Sequence, residues 1–218
     1  MKNKLLITLF FLVFPLALLA TPPSPNLSIL KKELTTYHDS GQYYADIAKT
    51  IKPAKDYLMK RIKSNPAHQK LAIVFDVDET LISGYQNMKK NDFGEPLPYL
   101  QYTLSHGNEE GIPATNELFQ FAKAQGITIF LITGRSEKIC KHTMSNLTYL
   151  GLSGWMQIYC KPETYKQKSI VPFKTAMRKK IIEQGYDIVL SIGDQNSDLE
   201  GGYADRTVKL PNPYYYVP

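Results

Sequence analysis

Apolar positions fall into three regimes along the 218-residue chain. Leu5 to Leu19 is almost uniformly apolar, with Lys2 and Lys4 before it and Ala20-Thr21-Pro22-Pro23-Ser24-Pro25 after it. From Ser28 to about Ser64 the spacing becomes helical: Leu30, Leu34 and Tyr37 share one face, followed by Tyr43, Tyr44, Ile47, Ile51, Tyr57, Leu58 and Ile62. This predicts a short helix, a turn near Ser40-Gly41 and a second helix that bends or restarts at Pro53, because proline lacks the N–H that a helix interior needs. Beyond Leu71 the pattern changes again, to short β-rich runs separated by helical stretches. The runs are Leu71 to Val77, Ile127 to Thr133, Met156 to Cys160, Ile188 to Ile192 and Thr207 to Leu210. Such alternation predicts an α/β fold, a parallel central sheet with helices on both faces.

The first regime reads as a secretory signal peptide over residues 1–20. A short positive region, about 15 apolar residues and a small residue before a proline-rich break are shorter than a membrane span requires. A retained N-terminal anchor is the alternative. Residues 21–27 then form a linker, 28–70 an N-terminal helical brace and 71–218 a catalytic domain. Within that domain the polar piece from Gly84 to Pro113 is too long for a simple connection and is assigned as a lid insertion. The whole chain carries a formal charge of +6. Removing residues 1–20 takes away two lysines and leaves 24 basic against 20 acidic side chains, a mild balance with no basic stripe to bind nucleic acid. The only cysteines, Cys140 and Cys160, lack metal-ligand spacing. In an exported chain they form either one disulfide or two buried thiols.

Candidate chemistry sits where the apolar runs end. Asp76 and Asp78 follow the run Leu71 to Phe75, and in an open α/β sheet ligands bind outside the carboxyl ends of the strands. Two carboxylates at i and i+2 on an extended segment point the same way and can divide nucleophilic and proton-transfer work. Thr133-Gly134-Arg135 closes the second run, where a hydroxyl and backbone N–H groups opening a helix make an anion cradle. Gly193-Asp194-Gln195-Asn196-Ser197-Asp198 closes another, and Asp194 with Asp198 can hold a hard cation such as Mg²⁺. Lys174 lies near the start of a helix that continues to about Gln184; a cation there opposes the helix dipole unless it faces an anion.

These pieces, in this order, resemble the haloacid dehalogenase superfamily of phosphatases, and within it the class B acid phosphatases and the plant vegetative storage proteins. The segment Tyr37-x-x-Ser40-Gly41-x-Tyr43, the stretch Gly193 to Leu199 and the C-terminal Leu210-Pro211-Asn212-Pro213-Tyr214-Tyr215 carry the likeness beyond the four motifs. The resemblance implies a Rossmann-like, three-layer haloacid dehalogenase fold with an N-terminal helical extension. It implies Asp76 as nucleophile, giving an aspartyl-phosphate, and Asp78 as general acid and then base. Thr133, Gly134 and Lys174 would bind the phosphoryl group. Mg²⁺ would sit on the Asp76 carboxylate, the Asp78 backbone carbonyl and Asp194, with Asp198 a direct ligand or an orienter of metal-bound water.

The activity implied is an exported Mg²⁺-dependent acid phosphatase, periplasmic or secreted, acting on a small phosphorylated substrate: a nucleotide, sugar phosphate or aryl phosphate. No nucleic acid and no stable membrane anchor are expected. A non-catalytic storage or phosphate-binding protein and a phosphotransferase are the alternatives. Tyr85, Phe93, Tyr99, Tyr102 and Tyr214 to Tyr216 either stack on a substrate base or serve as packing.

Overall fold

The computed structural model describes residues 24–65, 69–94 and 109–217. The N-terminal apolar run and most of the lid insertion, with Tyr99 and Tyr102, lie outside them. Helix α1 (Leu27–Asp39) is capped by the Asn26 side chain, which accepts from the amides of Ser28 and Ile29 at 3.0 and 3.2 Å. Gly41 then reverses the chain at φ 81°, a left-handed conformation that glycine adopts without strain. Helix α2 (Gln42–Lys63) follows. It runs through Pro53 without a restart, contrary to one of the two sequence expectations. Packing explains this: Ile47, Ile51, Ala54 and Leu58, on both sides of the proline, are buried against the sheet.

The main sheet contains β1 (Lys70–Phe75), β4 (Thr128–Ser136), β5 (Gln157–Lys161), β6 (Tyr186–Gly193) and β7 (Arg206–Lys209). Its order is β5-β4-β1-β6-β7 and every neighbouring pair is parallel. Two short strands, β2 (Ile82–Ser83) and β3 (Glu110–Gly111), pair antiparallel at its edge of action, flanking α3 (Tyr85–Lys90). Among the described residues the other α-helices are α4 (Pro113–Ala124), α5 (Cys140–Tyr149) and α6 (Val171–Glu183).

Strand β1 shows why both faces must be covered. Leu71, Ile73 and Phe75 join one buried cluster with Tyr43, Ile47 and Phe119, whereas Ala72 and Val74 join a second with Phe130, Phe173 and Ile181. Helices α2 and α4 therefore cover one face and α6 the other, giving three layers. Arg61 of α2 ties this arrangement to the sheet's far side through Asp187 and Asp205, at 2.6 and 2.9 Å. Cys140 and Cys160 form a disulfide joining the start of α5 to β5, so the two-thiol alternative does not hold.

Candidate active site

Five strands, all parallel, direct their carboxyl ends to one edge, and most of the buried charged side chains among the described residues line a cavity there. Asp76 directly follows β1, and its amide still bonds the Ile192 carbonyl of β6 at 2.9 Å. Asp194 follows β6, and Lys174 reaches across from α6. The Lys174 ammonium lies 2.6 Å from Asp76 Oδ1 and makes a close pair with Asp198 Oδ1. This is the anionic partner that a lysine in the first turn of a helix requires. Burial opposes the lysine's charge, yet Asp76 and Asp198 outweigh it and raise its pKa.

Asp76, Asp194 and Asp198 are buried and each offers a carboxylate oxygen within 4.8 Å of the others. Burial pushes the Asp76 carboxyl well above its usual range, with Asp198 adding repulsion that Lys174 counters in part. Asp194 is pushed up to about 6 by burial and Asp198, against hydrogen bonds from Asn212 and Gln195. Three buried carboxylates facing one ammonium leave a negative excess that a divalent cation would offset. Two further observations fit such an ion. Gln195 Nε2 and Asn212 Nδ2 both donate to Asp194 Oδ2, at 2.6 and 2.7 Å, which leaves Oδ1 with only a long contact of 3.4 Å from Thr80. The buried Ser197 hydroxyl lines the same cavity and has no hydrogen-bond partner, as suits a group that meets a bound water or substrate. Asp198, by contrast, spends Oδ1 on Lys174 and Oδ2 on the Gln195 amide at 2.8 Å. That fits orientation better than direct ligation. Asp78 offers no carboxylate to this group.

Asp78 turns instead to Arg135. The guanidinium donates to Asp78 Oδ1 from Nε at 3.0 Å and from Nη2 at 2.7 Å, and to Oδ2 from Nε at 3.2 Å. Nη2 also meets Glu109 at 2.6 Å, and Nη1 meets the Thr143 hydroxyl at 3.3 Å. Burial opposes the guanidinium's charge, but the two carboxylates raise its pKa further.

The Thr133-Gly134-Arg135 segment departs from the sequence expectation in its local structure. It opens no helix: β4 continues through Ser136, and a short 3-10 turn, Glu137–Ile139, intervenes before α5. The pairing of β4 with β5 shifts register between Thr133 and Ser136, so the segment bulges toward the cavity. Gly134 lines that cavity, while Thr133 is fully buried with its hydroxyl accepting from the Arg135 amide at 3.1 Å.

The cavity is about 580 Å³ and has Asp76, Asp78 and Lys174 in its wall, with Lys161 and Lys168 contributed from β5 and the loop after it. Tyr214, Tyr215 and Tyr216 complete it from the C-terminal tail. That tail is strapped down where Asn212 Nδ2 donates to Asp194 Oδ2 at 2.7 Å and Gln195 Oε1 accepts from the Val217 amide at 3.1 Å. Sequence reading assigned no role to Arg135, Glu109, Gln195 or Asn212. Arg135 closes the Thr133-Gly134-Arg135 motif, whose position at a strand end is the signal for it; Glu109 stands beside Glu110 with nothing local to mark it.

An all-parallel sheet of this order, with carboxylates at two strand ends and a lysine between them, defines a haloacid-dehalogenase-type α/β fold. The family model for the HAD superfamily, subfamily IIIB (acid phosphatase), matches residues 26–218, and the chain belongs to that family. Among relatives, the stem 28 kDa glycoprotein of Glycine max is 33% identical over 191 residues, covering 85% of this chain and 74% of that one. Vegetative storage protein 1 of Arabidopsis thaliana is 34% identical, covering 66% of this chain and 55% of its own. Acid phosphatase 1 of Solanum lycopersicum is 32% identical, covering 66% and 58% respectively. The chain thus spans little more than half the length of the latter two. The class C acid phosphatase from Bacillus anthracis shares the fold, with a TM-score of 0.68 at 20% identity over 86% of each chain.

Proposed function

We propose that this protein is an exported, divalent-metal-dependent acid phosphatase that hydrolyses small phosphomonoesters through an aspartyl-phosphate on Asp76, with Mg²⁺ as the metal. The observation that carries the reading is the Lys174 ammonium set 2.6 Å from Asp76 Oδ1 at the floor of a cavity that Asp78 also lines. Lys174 would bind non-bridging phosphoryl oxygens and, together with the cation, favour the ionised form of Asp76, and Gly134 would present backbone to the same group. Asp76 Oδ would form a bond to phosphorus as the bond to the leaving oxygen breaks, and Asp78 would hand that oxygen a proton. Asp78 would then take a proton from the water that attacks the phospho-enzyme. When bound, the cation supplies charge that lets an anionic nucleophile approach an anionic ester; Asp76, Asp194 and the Asp78 carbonyl would hold it, and Asp198 and Ser197 would orient its water.

Export rests on the N-terminal apolar run; among the described residues no helix is long and apolar enough to cross a membrane. A nucleotide, sugar phosphate or aryl phosphate would suit a cavity with lysines and tyrosines at its rim. A storage protein on the same scaffold is the second reading, favoured by the names of several relatives. The presence of Asp76, Asp78, Lys174 and Asp194 together favours catalysis. The test is hydrolysis of p-nitrophenyl phosphate by the protein without residues 1–20. Chelation with EDTA should abolish turnover and Mg²⁺ restore it, and Asp76→Asn should lower kcat by about 10³-fold or more. Activity surviving both treatments would sink the mechanism, and absent turnover with metal bound would favour storage.

A further inference from the structure

Arg135 and Glu109 have no part in the chemistry so far, yet both side chains are almost wholly buried, at 1% and 2% exposure, beside the half-exposed Asp78. Burying a guanidinium requires anionic partners, and two are present. The three contacts to Asp78 are unequal. Oδ1 accepts from Nε at 3.0 Å and Nη2 at 2.7 Å, while Oδ2 receives one longer contact of 3.2 Å. The fork therefore fixes the carboxyl plane through Oδ1 and leaves Oδ2, with its one longer contact, as the less engaged oxygen of a side chain that lines the cavity. Glu109 and the Thr143 hydroxyl hold the guanidinium from its other edge, so that Arg135 cannot swing with its load.

Resting on the phosphatase reading above, we infer that Arg135 and Glu109 are positioning residues that select Asp78 Oδ2 as the atom delivering the proton to the leaving oxygen. As the Asp76 oxygen bonds to phosphorus and the phosphorus–leaving-oxygen bond breaks, the proton on Oδ2 transfers to that oxygen and Asp78 is left ionised. The demand on this transfer scales with the basicity of the leaving group. A misaligned Asp78 therefore costs little with a good leaving group and much with a poor one.

The experiment compares kcat/KM for p-nitrophenyl phosphate, phenyl phosphate and an alkyl phosphate, with saturating Mg²⁺, in wild type, Glu109→Gln and Arg135→Lys. kcat/KM is read because it reports steps up to formation of the phospho-enzyme. The variants should lose activity in graded fashion, the p-nitrophenyl to alkyl ratio rising by about tenfold relative to wild type. Glu109→Asp, which retains the charge but shortens the reach, should shift the ratio in the same direction and serves if Glu109→Gln does not fold, as read by thermal melting. Equal loss on all three substrates, or no loss, would overturn the inference, since a merely structural role has no reason to sense the leaving group. The two levels separate: Asp76→Asn retaining activity removes the phosphatase mechanism and this inference with it, whereas an unchanged ratio in the variants removes the inference alone.

Discussion

At the scale of single residues, the site is a problem of charge. Asp76, Asp194 and Asp198 are buried together, and among the described residues Lys174 is the cation set against their carboxylates; Asp194 is pushed up to about 6 mainly by burial and then by Asp198. A carboxyl whose folded pKa lies above its ordinary value of 3.8 contributes stability that is complete below that value and is lost as pH rises through about 6. The metal-free protein should therefore lose melting temperature between pH 4 and pH 7, and Mg²⁺ should restore more of it at pH 7 than at pH 4. A cation effect of equal size at both pH values would contradict this. Gly193 belongs to the same arrangement: a Cβ there would fall inside the Asp198 side chain, so only glycine lets the loop fold back this closely. Asp76, Asp78, Lys174, Asp194 and Asp198 were all legible in the sequence, because each stands beside an apolar run or a helix start that fixes where it emerges. Glu109 was not legible, since its partner Arg135 is 26 residues away along the chain and only folding joins them.

At the scale of elements, α6 both carries Lys174 and braces the loop that carries Asp194 and Asp198. Its Arg178 is fully buried and donates to the main-chain carbonyls of Asp198 at 2.6 Å, Gly202 at 2.9 Å and Glu200. Replacing it removes charge-assisted hydrogen bonds and leaves buried carbonyls without donors. Arg178→Met should cost about 3 kcal/mol in urea unfolding and weaken Mg²⁺ binding, because Asp198 loses its anchor. Unchanged stability and affinity would show that the loop holds itself. Strands β1, β4 and β6 were readable to within a residue or two at most ends because each is largely a buried apolar run, whereas β7 is mostly exposed. The Thr133 segment was not: a bulge that extends β4 past its glycine depends on pairing with β5, which no local pattern announces. The restart expected at Pro53 fails for a related reason. The proline's lost hydrogen bond is local, whereas the burial of Ile51, Ala54 and Leu58 that keeps α2 continuous is tertiary.

At the scale of the whole molecule, the three-layer fold converts separate stretches of sequence into one centre. β1 brings Asp76, its neighbour β6 brings Asp194, and α6, lying over the opposite face from α2 and α4, brings Lys174. The N-terminal helices reach the site as well as the core. Tyr43 of α2 donates to the buried Glu79 at 2.7 Å, directly after Asp78, and His38 of α1 stacks on Tyr85 at the start of α3, their ring centroids 3.4 Å apart. The disulfide between Cys140 and Cys160 fixes the layer beside Arg135, a pairing the two cysteines alone left open. The proposed mechanism turns on one group, the Asp76 carboxylate that Lys174 holds, and on its becoming phosphorylated. The direct measurement is mass spectrometry of peptides from enzyme acid-quenched during turnover of an aryl phosphate with Mg²⁺. The account predicts one phosphoryl group on the peptide containing Asp76, lost on mild base treatment and absent in Asp76→Asn. Rapid turnover with that peptide unmodified, or with the phosphoryl group on another residue, would contradict it.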